Sequence, residues 1–442
     1  MARMNVTIER PPVFTHEGGK AAHITPLQEL RRSVMTALLW ESGFYESGKD
    51  HAKRIDALCA QCKPSDVAAL AIEARYTMYL RHVPLYLVRQ LARVKGNGRV
   101  VADTLAHVIQ RPDEMGEYLA MYWGGKSSGT AKRPEPLSAG SKRGLARAFG
   151  KFKAETLAKY DRDAGVKLRD VLRLVHPKPK NDEQAATWKQ VTTRTLAAPD
   201  TWEVALSSGA NKREAFERLL RENKLGGLAF LRNLRNMVES SVDTSLVRAR
   251  FTGAFDKVLP FRFIAAVRHA PSFAQELNDA MLKVTAELPK LAGKTAVIVD
   301  VSGSMDEALS GKSEMKRCDV AAGLAVLVRE LTDDCRVFSF SNHVVEIPTY
   351  RGLALVDAIL RSQPHGGTEM GWAVSGVSAL ARFDRVIVIT DEQSRDRVSA
   401  PAGRGYVVNV ATNKNGVGYG QWTHIDGWSE RILDFIRAVE SE

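Results

Sequence analysis

Cysteine is scarce in this sequence, with four among 442 residues. That is too few for a disulfide framework and suits a reducing compartment. Cys59 and Cys62 make one CxxC, but Cys318 and Cys335 are too far apart in sequence to supply a matching pair. A structural zinc needs four ligands, so two helix cysteines one turn apart are the simpler reading. No apolar run approaches the ~18 residues that would span a bilayer. Residues 1–20 carry charges and prolines without an apolar stretch, so no secretory signal is read there. Phosphate loops are missing too. Gly311-Lys312-Ser313 and Gly125-Lys126-Ser127 each need an earlier glycine, where Asp306 and Ala120 stand. A cytoplasmic protein with no membrane segment is expected.

Charge of one sign is plentiful. Lys and Arg number 63 against 51 Asp and Glu, a surplus of +12. The surplus is not spread evenly. Residues 289–442 hold 17 basic and 20 acidic side chains, which leaves 46 basic and 31 acidic in residues 1–288. Residues 126–180 alone hold 15 basic against 5 acidic. A solvated basic face is the bland reading, but such clustering favours a polyanion partner.

The length predicts two or three domains, and the patterning divides the chain the same way. From Thr25 to about Leu288 the apolar residues recur at helical spacing. Thr25-Pro26-Leu27-Gln28 reads as a capping box with proline at the first helical position. Leu27, Leu30, Val34 and Leu38 would then form one apolar face. Val67, Leu70, Ala71, Ala74 repeat the pattern, as do Leu85, Val88, Leu91, Ala92 and Met115, Leu119, Tyr122. Leu228, Leu231, Leu234, Val238 and Phe263, Ala266, Val267 continue it. Short helices punctuated by Pro and Gly predict stacked antiparallel pairs of HEAT-like character. The segment 124–140, rich in Gly, Ser, Pro and Lys, reads as a loop.

After Pro289 the rhythm changes to buried strands alternating with helices. Residues 295–301, 336–340, 386–390 and 406–410 are short apolar runs, with helical stretches at 321–331, 353–360, 371–381 and 429–439. This predicts a doubly wound, parallel-rich α/β sheet, with His343–Ile347 as an antiparallel edge. His424-x-Asp426 reads as a turn before the last helix. The expected boundaries are a 1–24 arm, a 25–288 helical module and a 289–442 α/β domain.

Ligands in such folds bind beyond the C-terminal strand ends, and hard oxygen donors gather there. The first strand ends in Asp300-Val301-Ser302-Gly303-Ser304, a later one in Asp391, and Thr368 follows a glycine pair between them. Asp300, Ser302, Ser304, Thr368 and Asp391 suit Mg²⁺ or Mn²⁺ completed by water. This set resembles the metal-ion-dependent adhesion site of von Willebrand factor A domains over about residues 290–442. The resemblance implies that the serines and threonine bind the cation directly or through water, while the aspartates act largely through water. An open position would take an acidic group from a partner.

The front part resembles the TROVE module of the Ro autoantigen family. The likeness rests on Phe230–Met237, Leu259–Phe263 and Leu172-Arg173-Leu174-Val175-His176-Pro177-Lys178-Pro179, and on the order of helical module then A domain. It implies a ring of helical repeats closed by the A domain, a monomer, and a bacterial or phage relative shorter than the animal members. It also implies Y-like small structured RNA bound outside, 3′ ends of misfolded RNA in the hole, and an exoribonuclease or other protein at the A domain. Lys159 and Tyr160 match a Lys-Tyr-x-x-Arg element implicated there in RNA binding, and His176 matches an implicated histidine. The arginine position holds Asp163, with Arg162 one residue before it.

The residues themselves add a basic stripe. Arg143, Arg147, Lys151 and Lys153 recur at helical steps, beside Lys142 and, further on, Lys178. Aromatics near them are few, and Phe149 and Phe152 are read as core, so backbone recognition is expected over base reading. The rival function is a metal-dependent interaction scaffold. Two carboxylates and a metal could run metal-assisted hydrolysis, but the A-domain pattern uses its open coordination site for binding, so no enzyme is expected.

Overall fold

The computed structural model describes residues 12–14, 18, 20–21, 24–35, 48–78, 80–124, 136–161, 165–197, 200–207, 211–255, 258, 260–308, 315–411, 417, 420–426 and 432–441. Arg162, Leu38, residues 125–135 of the basic loop and Gly311-Lys312-Ser313 lie outside the described residues. Val13–Phe14 (β1) and Lys20–Ala21 (β2) form a small antiparallel pair at the start.

Helices follow from Pro26 to Ala286. The first, Pro26–Met35, opens with the expected capping box: Gln28 N donates to Thr25 Oγ1 at 3.2 Å, and Thr25 N donates to Gln28 Oε1 at 2.8 Å. Pro64–Tyr76 buries Val67, Leu70, Ala71 and Ala74, the face its spacing predicts. His82–Arg93 is covered more completely, from Val83 through Leu91, because neighbouring helices pack on several sides. Gly227–Glu239 turns differently from expectation. Phe230, Leu231, Leu234 and Met237 face inward, which leaves Leu228 and Val238 exposed. Bulky Phe230 claims the core and rotates the helix.

The C-terminal part is a six-stranded sheet. Its strands are Leu291–Asp300 (β3), Thr332–Phe340 (β4), Val344–Ile347 (β5), Arg385–Thr390 (β6), Arg404–Asn409 (β7) and Thr423–Asp426 (β8). The order is β5-β4-β3-β6-β7-β8, with only β5 antiparallel to its neighbour. The stretch read as a turn at His424 is therefore an edge strand. Helices Arg317–Glu330 and Met370–Leu380 cover opposite faces: Val297, Val299 and Ile389 point to the first side, Ala296, Ile298 and Val388 to the second. Asp300 pairs in register with Phe340, and Val299 with Ile389, so the ends of β3, β4 and β6 share one edge.

The cores do not divide where the composition changes. One runs from Leu30 to Val191. Another runs from Phe216 to Ile436, joining helices before residue 288 to the sheet. Helix Pro260–His269 packs on Arg317–Glu330, and Arg268 pairs with Asp319. At the other end, helix Pro26–Met35 touches β8, and Arg32 forms a buried ion pair with Glu392 across 360 residues of chain. With Lys159–Glu203 at 3.1 Å linking the two helical groups, the contacts close on themselves.

Candidate functional site

The five oxygen donors lie on the segments that follow or border the shared strand edge. Asp300, Ser302 and Asp391 are fully buried, and Thr368 nearly so. Asp300 Oδ1 accepts from Ser302 N at 2.8 Å, and its Oδ2 accepts from Thr390 Oγ1 at 2.6 Å. Ser302 Oγ and Ser304 Oγ stand 3.4 Å apart. The glycine loop is tied in by Gly303 N donating to Gly366 O at 2.9 Å, and by Arg395 N donating to Thr368 O at 2.9 Å. Burial, and then the neighbouring Asp391 charge, push the Asp300 carboxyl up to about 7. Two buried carboxylates that resist ionising together form an arrangement a divalent cation relieves, so the donor set fits Mg²⁺ or Mn²⁺.

One cationic side chain already approaches. Arg317 Nη1 lies 3.6 Å from Asp391 Oδ2 and donates to Ser304 O at 3.3 Å. Just outside, Asp306 bridges Lys316 at 3.0 Å and His365 at 2.6 Å. Burial opposes ionisation of Asp306, yet these two partners hold its carboxyl below the ordinary value. His365 is thereby occupied in orienting the loop before Thr368.

The basic surface is less uniform than its sequence. Helix Ala139–Phe149 exposes Lys142, Arg143 and Arg147, with Ser138 capping its start. Arg147 pairs with Asp103 on the neighbouring helix. The stripe stops at Phe149, which is buried, so Lys151 and Lys153 lie beyond the helix. Lys151 Nζ donates to Ala106 O and Ile109 O, both at 2.5 Å, and caps the C-terminal end of helix Gly98–Val108. Burial pulls its ammonium pKa down. Lys151 thus serves the fold, where the spacing suggested a phosphate contact.

Lys159 is half-buried against Glu203, and the Arg111 guanidinium lies 4.6 Å over the Tyr160 ring. Arg111 itself bonds Asp113 with two nitrogens, at 3.1 and 2.6 Å. His176 ends helix Leu168–Val175 in the left-handed region at φ 45°, its N–H donating to Leu172 O at 3.0 Å. That geometry turns the imidazole outward, beside exposed Lys178. Lys142, Arg143, His176 and Lys178 are the expected contacts whose side chains are exposed and form no ion pair among the described residues.

Residues 193–267 match the TROVE domain. The structure matches the crystal structure of Deinococcus radiodurans Ro (RSR) protein with a TM-score of 0.60 at 16% identity, covering 93% of this chain and 99% of that one. The fold is that of a Ro protein. No curated protein matches the sequence. Two of the three motifs behind the Ro resemblance, Phe230–Met237 and Leu259–Phe263, fall inside the TROVE match, whereas Leu172–Pro179 precedes it.

The sequence left unnoticed what sits behind these oxygen donors. Glu392 follows Asp391, adopts φ 60° and turns its carboxylate inward. There it meets Arg32, accepts from Asn409 Nδ2 at 3.0 Å, and lies 3.1 Å from His424 Nδ1. Arg32 reads in sequence as one more surface arginine, and no local signal separates it from Arg31. Cys59 and Cys62 are free thiols, and burial pushes Cys59 up to about 12. Among the described residues no helix is long and apolar enough to cross a membrane.

Proposed function

We propose that this protein is an RNA-binding ribonucleoprotein core. It would hold Y-like small structured RNA on the outer basic surface and single-stranded 3′ ends of misfolded RNA in the ring, in the service of RNA quality control. The observation that carries this reading is the Ro fold over nearly the whole chain together with the TROVE segment. Exposed Lys142, Arg143, His176 and Lys178 support it, because phosphate neutralisation releases counterions and gives affinity with a steep salt dependence. The reading is one of binding, with no reaction assigned. Its test is to purify the protein from its host at low salt and sequence the bound RNA. A small structured RNA is expected, and recovery of none above background overturns the proposal.

In the same reading Asp300, Ser302, Ser304, Thr368 and Asp391 hold Mg²⁺ or Mn²⁺. Such an ion would supply a positive charge with a coordination position open to an anionic ligand. Added Mg²⁺ should raise the thermal midpoint of the wild type, as binding to the native state alone requires. Asp300→Ala should abolish that rise, and an equal rise in both proteins refutes the assignment. The buried carboxylate pair also favours a second reading, in which the cation grips an acidic group of a protein partner. That association would need metal and tolerate moderate salt, whereas RNA binding would fall by orders of magnitude with salt.

A further inference from the structure

The rim of the cation cluster carries side chains that nothing above employs. Trp372 stands in the first turn of helix Met370–Leu380, four residues after Thr368, with 51% of its surface exposed. A single exposed apolar side chain is ordinary, but this one is braced. Asp396 accepts from Gly371 N at 2.8 Å and from Trp372 N at 2.6 Å, which fixes the turn. A Cβ at Gly371 would stand 2.2 Å from Arg397 O, so only glycine lets the 396–397 loop close on the helix start. The His343 ring meets Trp372 edge-on, with centroids 6.5 Å apart and planes at 74°.

Arginines lie on the segments packed against this helix start. Arg395 lies against the glycine loop: a Cβ at Gly367 would fall 2.7 Å from Arg395 Nη1. Gly367 N in turn donates to Asn342 Oδ1 at 2.8 Å, next to His343. Arg395, Arg397 and His343 are all exposed. An exposed indole, two exposed arginines and an exposed histidine thus lie on adjoining segments beyond the C-terminal strand ends, where ligands of such sheets bind.

We propose that this rim binds a single-stranded stretch of RNA, with one base lying on Trp372 and the adjoining phosphates held by Arg395 and Arg397. The proposal rests on the RNA-binding reading above and locates a contact outside the basic helices. The physical case is complementarity. Guanidinium forks match phosphate oxygens, and an indole face takes any unstacked base regardless of identity. Duplex RNA offers no free base face, so the single strand is selected. An acidic peptide would satisfy the arginines while leaving the indole without a partner.

The test uses the full chain and a fluorescent oligouridine, read by anisotropy, with an RNA duplex and an oligoglutamate peptide as competitors. Trp372→Ala should weaken oligouridine binding roughly 5- to 150-fold, and Trp372→Phe should keep most of it. Arg395→Ala with Arg397→Ala should reduce the salt slope by roughly 1.4, at about 0.7 per phosphate on a single strand. The thermal midpoints of these surface variants should match wild type. Unchanged oligouridine affinity in Trp372→Ala overturns the rim site. So does oligoglutamate that displaces the RNA and loses its own binding in the same variants. If the host's structured RNA still binds while every rim variant equals wild type, the rim fails and the RNA-binding reading stands. Wild type that binds no RNA of either kind removes both.

Discussion

Arg32 and Glu392 show how much one buried pair can decide. Both side chains are essentially without solvent contact, and Asn409 and His424 also border the carboxylate. Removing one partner leaves an uncompensated buried charge, whereas removing both does not. Arg32→Met or Glu392→Gln alone should cost roughly 3–5 kcal/mol, measured by denaturant unfolding. The double variant should cost clearly less than the sum, and simple additivity would dismiss the pair as a unit. Arg32 was invisible in sequence because its neighbours in space come from the far end of the chain.

Lys151 makes the complementary point. Its spacing from Arg143 and Arg147 is that of a phosphate-binding stripe, yet its ammonium is spent on two carbonyls at a helix end. In salt titrations of RNA affinity, Arg143→Ala should lower the slope by roughly 0.9 on a duplex site. Lys151→Met should leave the slope unchanged and instead lower stability by about 1 kcal/mol. A slope that falls in Lys151→Met would return that residue to the interface.

At the scale of elements, the last helix, Ile432–Ser441, is secured by a polar clasp. Arg385 donates to Glu440 at 2.8 and 2.5 Å, and also to Thr295 Oγ1 and Ala292 O; Tyr406 OH donates to Glu440 Oε1 at 3.1 Å. Burial raises the Glu440 carboxyl, but Arg385, Tyr406 and Arg404 together outweigh it and the net direction is down. A depressed carboxyl adds stability above its unfolded value, 4.5 here, and loses it as pH falls through the folded value. Glu440→Gln should therefore cost about 1.5–3 kcal/mol near neutral pH. The gap to wild type should close as pH drops below 4.5, and a gap that persists in acid would exclude the charge as its cause.

Elements were legible where one local rule dominated. The Thr25–Gln28 box predicted a helix start because both hydrogen bonds lie within four residues. The apolar runs at Val297 and Ile387 predicted central strands because both sheet faces are covered. β8 was missed because an edge strand needs no continuous apolar run, and Thr423-His424-Ile425-Asp426 shows none. Helix Gly227–Glu239 was placed correctly but rotated wrongly, since four leucine-like positions compete with Phe230 and Met237 for one core.

Across the whole molecule the change in composition near residue 289 and the division of the cores disagree. The second core reaches from Phe216 through the sheet to Ile436, so helices 212–286 share their interior with the A-like domain. Removing residues 289–442 should thus unfold helices 212–286 and leave 26–193 folded. Hydrogen exchange on the truncated chain checks this, and full protection in 212–286 would contradict it. Ring closure follows the same logic, with Arg268–Asp319 on one side of the sheet domain and Arg32–Glu392 on the other.

By itself the sequence determined the helical front, the parallel-rich sheet and the oxygen donors at its edge. Each is written in spacing over a few residues, and periodic burial or a strand end enforces it. Tertiary structure alone decided which arginines and lysines remain exposed and which are consumed. It also decided where the two cores part, and that the first helix closes on the last strand. Those outcomes depend on which groups meet after folding, and a carbonyl or carboxylate hundreds of residues away leaves no mark on the local pattern.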